Sequence, residues 1–104
     1  MIKTVTIQVT NVAGQEVLAD VMNGLEAKKR TLRSMFFEQG NDLRVRMYVN
    51  QERVVDAAVD CNQYDSVPVV LNRELSTGDT VKAGFQSDGT TTTANYITIE
   101  FEEA

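Results

Sequence analysis

The chain has 104 residues, 42% of them apolar and 24% charged, with a formal net charge of −5. That is ordinary globular composition with room for a single domain over residues 1–104. It holds no histidine, no tryptophan and one cysteine, which removes Ser-His-Asp and Cys-His catalysis, imidazole metal sites and any internal disulfide.

From the N-terminus, Met1-Ile2-Lys3-Thr4 alternates with polar residues instead of building an apolar signal core. This predicts a chain made in the cytoplasm without a signal peptide. In Lys3–Thr10 the apolar positions are Val5, Ile7 and Val9, with threonines and Gln8 on the other face, which is the period of a half-buried strand. Asn11–Gly14 reads as a turn. Strands are expected next at Glu16–Met22 and Thr31–Phe37, separated by Asn23-Gly24 and one helical turn around Leu25–Lys29. Leu18, Val21, Met22, Leu25, Leu32, Met35 and Phe36 also fit helical spacing. A helix within residues 16–36, and with it an α+β fold, is therefore the alternative.

From Leu43 to Val49 alternation is strict, and residues 42–60 read as a hairpin. A three-residue loop Asn50-Gln51-Glu52 pairs Val49 with Arg53, Met47 with Val55, Val45 with Ala57 and Leu43 with Val59, and sets Arg46 across from Asp56. A two-residue loop would oppose Val45 to Asp56 and mix the faces, so the odd loop is expected. Further strands are expected at Val67–Leu71, with Pro68 at its start or on a sheet edge, at Thr80–Phe85 after the turn Ser76–Asp79, and at Ala94–Glu103, where Ile97, Ile99 and Phe101 alternate with Tyr96, Thr98, Glu100 and Glu102. Eight short strands with regular turns predict an all-β fold, an antiparallel two-sheet sandwich of jelly-roll type.

Little in this pattern supports catalysis. Cys61 has acidic or neutral neighbours, Asp60, Asn62 and Asp65, which raise a thiol pKa. It reads as a small packed side chain. Asp56 and Asp60 on one strand stand about 13 Å apart, too far for either glycosidase geometry. A calcium loop starting at Asp60 fails where Asp65 and Leu71 replace the required Gly and Glu. No phosphate loop or dinucleotide fingerprint fits the glycine spacings. The chain is expected to be no enzyme and to need no cofactor or metal.

Charge is uneven: residues 1–53 carry eight Lys/Arg against six Asp/Glu, and residues 54–104 two against nine. Head-to-tail association of copies is one use of that split, and ordinary solubilising charge is the simpler one. Lys28, Lys29 and Arg30 form the one basic cluster, a candidate contact for an acidic partner surface or a solvated turn. An acidic chain is repelled by phosphate backbones, so nucleic acid is not an expected partner. No apolar run reaches about 18 residues, so neither is a membrane. Tyr64 and the loop Thr90, Thr91, Thr92 and Thr93 complete the candidate contacts; threonine hydroxyls hydrogen-bond at low entropic cost.

The hairpin Leu43–Val59, with Tyr48-Val49-Asn50-Gln51-Glu52-Arg53-Val54, is followed by Pro68-Val69-Val70-Leu71, Leu75-Ser76-Thr77-Gly78-Asp79-Thr80-Val81, a polar loop and the closing strand Ala94–Glu103. Over about residues 43–103 this layout resembles the small jelly-roll proteins that decorate or cement the heads of tailed bacteriophages, or serve as minor virion proteins. The resemblance implies a virion location, a capsid or other virion protein as partner, and a symmetric homo-oligomer, often a trimer. It carries over no functional residue. Carbohydrate-binding modules share the layout and give the alternative function, with Tyr48, Tyr64 and Tyr96 as the available aromatic platforms.

Overall fold

Eight strands and no helix make up the residues that a computed structural model of the chain describes, 1–37, 43–58, 69–88 and 94–104. They are β1 (Ile2–Thr10), β2 (Glu16–Asn23), β3 (Arg30–Phe37), β4 (Leu43–Val49), β5 (Glu52–Ala58), β6 (Val69–Leu75), β7 (Thr80–Ser87) and β8 (Ala94–Glu103). The helical alternative for residues 16–36 is overturned: they form β2, a bend at 26–28 and β3, and the helical turn expected around Leu25–Lys29 is absent. Asn23-Gly24 interrupts any helix, and the β-branched and aromatic residues of β2 and β3 gain more from a pleated, half-buried surface.

Two four-stranded antiparallel sheets result, ordered β1-β8-β3-β6 and β2-β7-β4-β5. The ladders pair β1 with β8, β2 with β7, β3 with β6 and β4 with β5. Such nested pairs are those of one long hairpin whose tip is the β4–β5 turn; rolled over itself, it gives a jelly roll. Consecutive strands β2 and β3 therefore lie in different sheets, and the bend between them crosses the sandwich.

Alternation decides which side chains enter the core. Val9, Leu32, Met35, Ile97, Ile99 and Phe101 project from the first sheet against Val45, Met47, Val49, Val81, Ala83 and Phe85 of the second, and all are buried. Strands β4, β7 and β8 lie inside their sheets, and every residue of their inward rows is buried.

The hairpin register is as expected where Val45 meets Ala57, Arg46 meets Asp56 and Met47 meets Val55, but not at the tip. There Tyr48 pairs with Arg53 and Val49 with Glu52, leaving a two-residue loop, Asn50-Gln51, with Val54 as an extra bulged residue. The bulge restores the parity that a two-residue loop alone would lose. It also lets Asn50, at φ 57°, take the left-handed conformation that Glu52 tolerates poorly. The partner expected for Leu43, Val59, lies outside the described residues. Strand β6 runs on through Asn72, Arg73 and Glu74, past the expected end at Leu71, with Asn72 at φ 47° where its pairing with β3 shifts. It is an edge strand; Val67 and Pro68 are outside the described residues.

Chain termini and the β2–β3, β4–β5 and β6–β7 connections share one end of the sandwich. Gly24 N–H donates to the Asp79 carbonyl at 2.8 Å, Asn50 N–H to the Thr80 carbonyl at 2.8 Å, and the Asn50 side chain to the Asp79 carboxylate at 3.0 Å. At the opposite end Gly14 N–H donates to the Ser87 carbonyl, and buried Asn11 donates to Asn95 at 2.9 Å.

Candidate functional site

The basic cluster lies at the terminal end, and its charges are divided between two acidic partners. Glu103 continues the inward row of β8 beyond Phe101, so a carboxylate enters the rim of the core, with its side chain 5% exposed. A buried charge persists only when paired. Lys3 Nζ reaches it at 2.7 Å, Arg30 Nε at 2.9 Å and Lys28 Nζ at 3.4 Å. The Arg30 guanidinium also lies over the Phe101 ring, 5.5 Å from its centre, and donates to the Asn23 carbonyl. Hydrogen bonds from Lys3 and then Arg30 hold the Glu103 carboxyl down at about 2, against an ordinary value of 4.5.

Lys29 turns the other way and pairs with Glu74 at 3.2 Å. With Thr31, Arg33, Glu102 and Ala104 these two residues line a shallow groove of about 370 Å³. Arg33 donates to Glu102 at 2.8 Å and holds that carboxyl below its usual range. The groove presents two matched ion pairs. Of the expected contacts, Lys28 and Arg30 thus serve a structural carboxylate, and Lys29 remains at the surface. Tyr64, Thr90, Thr91, Thr92 and Thr93 lie outside the described residues, as do Cys61 and the acids at 60 and 65.

A second charged constellation covers the outer face of the β2-β7-β4-β5 sheet. Asp56 accepts from Arg44 at 2.7 Å, Arg53 at 2.9 Å and Arg46 at 3.4 Å, so the expected Arg46–Asp56 pair is present as the longest of three. Hydrogen bonding from Arg44 first, then Arg53, holds Asp56 at about 2 instead of 3.8. Arg46 also reaches Glu16 at 2.9 Å, where the Tyr48 hydroxyl donates at 2.9 Å. Burial pushes the Glu16 carboxyl up, but those two donors outweigh it and leave it below its usual value. Arg53 lies over the Tyr48 ring at 5.9 Å. Tyr48 therefore has its hydroxyl bonded and one face covered. Tyr96, on the outer face of the other sheet, is 49% exposed.

Both Glu103 and Asp56 titrate lower in the folded chain than in the unfolded one, so their contribution is present above about pH 4.5 and is lost as pH falls toward 2. Urea midpoints measured across that window are expected to fall steadily for the parent chain. Glu103→Gln is expected to start lower at neutral pH and to fall less on acidification. An unchanged pH profile in Glu103→Gln would show that the three cations do not depend on this carboxylate.

The Glu103 hub was missed at the sequence level, although a signal was there. Counting parity from Ile97 through Phe101 places residue 103 on the inward face, and an inward acid demands bases nearby. Among the described residues, no three carboxylates or thiols gather as a metal site. Comparison with protein-family models, with curated proteins and with solved structures finds no match to this chain.

Proposed function

We propose that the chain is a non-catalytic structural protein of a virion, decorating or cementing a capsid through contacts with capsid proteins and with copies of itself. The strand order β1-β8-β3-β6 over β2-β7-β4-β5 carries this reading, as an analogy of fold. Jelly rolls build viral shells, and also lectins and metal-binding cupins. A chain without histidine lacks the imidazole ligands of the last group. Paired charges on the outer face and the terminal end suit a particle surface, because they favour matched orientations of neighbours without adding strong adhesion. Lattice repetition then multiplies modest contacts into firm attachment.

Light scattering after size exclusion is expected to give one closed oligomer whose mass does not grow with concentration. A strict monomer would count against the shell role. The lectin reading rests on exposed Tyr96 beside the Thr6–Thr98 hydroxyl pair. A specific glycan-array signal abolished by Tyr96→Ala would favour it over the shell.

A further inference from the structure

Among the described residues each sheet has two edges, and three of these four edge strands are built to refuse another strand. β2 shifts register between Asp20 and Met22 and carries Glu16 and Asp20. β5 bulges at Val54 and carries Glu52, Arg53 and Asp56. β6 has left-handed Asn72, a register shift, Arg73 and Glu74. Bulges and charges of this kind block edge-to-edge pairing.

β1 has no bulge, and its one charge is Lys3 near the start of the strand. Its nine residues pair with β8 without a register shift, from Ile2 opposite Glu102 to Thr10 opposite Ala94. Residues 4–10 are uncharged on a chain of net charge −5, and Lys3 is held by Glu103. Met1 and Glu103 exchange both backbone hydrogen bonds, at 2.9 Å each. Antiparallel alternation then turns the backbone groups of the odd residues toward β8 and those of Ile2, Thr4, Thr6, Gln8 and Thr10 outward. Val5 and Ile7 point into the sandwich yet stay only half-buried, whereas Val9 is 2% exposed.

We infer that β1 is the interface with a second copy of this chain, the two β1 strands pairing antiparallel about a twofold axis at Thr6. The strand is self-complementary about that residue, as an isologous contact requires. Thr4 faces Gln8 of the second copy, Val5 faces its Ile7, and Ile2 faces its Thr10. In the central pairs polar meets polar and apolar meets apolar, toward the ends Ile2 and Lys3 meet Thr10 and Val9, and no two like charges oppose each other. Every outward-turned backbone group in β1 gains a partner, and the half-buried Val5 and Ile7 are covered. Thr6 already bonds Thr98 through its hydroxyl at 2.8 Å, so the join places a row of four threonines across the dyad. The two four-stranded sheets become one continuous sheet. This deepens the shell reading, from which it takes only the self-association, and it makes that association twofold instead of threefold.

The experiment compares the parent chain with Thr6→Lys and, in a Cys61→Ser background, with Thr6→Cys and Thr10→Cys. The parent is expected to contain a dimer by sedimentation equilibrium. Thr6→Lys sets two ammonium groups opposite each other at the dyad and is expected to weaken the dimer roughly tenfold while circular dichroism remains that of the parent. Antiparallel bonded pairs hold Cα atoms about 5.5 Å apart, within disulfide reach, so Thr6→Cys is expected to cross-link on oxidation and Thr10→Cys is not. An oligomer unaffected by Thr6→Lys, or a threefold species, overturns the β1 interface and leaves the shell reading standing. A strict monomer overturns both.

Discussion

Gly84→Ala is expected to unfold at a much lower urea concentration than the parent, with a loss of roughly 3 kcal/mol or more and an unchanged slope. Gly84 sits in β7 between Leu18 of β2 and Arg46 of β4, and a Cβ added there would fall on the carbonyl oxygen of Val17. The obstacle is backbone, so no side-chain rotation relieves it. Either β2 moves away, breaking ladder bonds to β7, or β7 twists and displaces the buried rows on both sides of it. A chain of this size has a total stability of about 5–15 kcal/mol, so such a loss takes a large share of it. A midpoint equal to the parent's would mean that β2 does not pack against β7 as described.

The adjacent residue gives the second large effect, for the opposite reason. Phe85 is fully buried, faces Val17 and Val45 across its two ladders, and is the largest of the fully buried side chains among the described residues. Phe85→Ala is expected to cost about 3–5 kcal/mol, the transfer term of the ring plus the cavity it leaves. The same substitution at Phe36, half-buried on the outer face, is expected to cost far less. Urea titrations of the two variants, read against the parent, check the contrast. Equal losses would mean that the inward and outward faces are misassigned.

Much of the fold was legible because one face of every sheet is dry. Val5, Val45, Met47, Ile97 and Ile99 recur at period two, and a one-residue slip in any of these strands would expose the whole row. That constraint placed the strand regions and the central register of the hairpin. It did not reach the hairpin tip, because a bulge at Val54 changes the parity count without changing any residue's polarity. Nor did it show that β2 and β3 belong to different sheets: alternation states which way a side chain points, and is silent on which strand lies beside it. The far half of β6 was missed because Asn72-Arg73-Glu74 lies on an edge, where little is buried and no apolar rhythm is needed. Among the candidate contacts, Lys28, Lys29 and Arg30 were visible as a cluster. Their partners were not, because Glu103 and Glu74 lie tens of residues away and meet them only through the sheet order.

The nesting of the ladders has a consequence for how the chain acquires its shape. The β4–β5 turn closes a loop of two residues, whereas β1 and β8 join the two ends of the sequence. Closure entropy grows with the length of chain enclosed, so early pairing at the β4–β5 tip carries the smallest entropic penalty and the terminal ladder the largest. On the ribosome, β1 emerges first and has no cognate strand until β8 follows it out. Since β8 also separates β1 from β3, that half of the sandwich stays open until β8 is made and then shuts in one event.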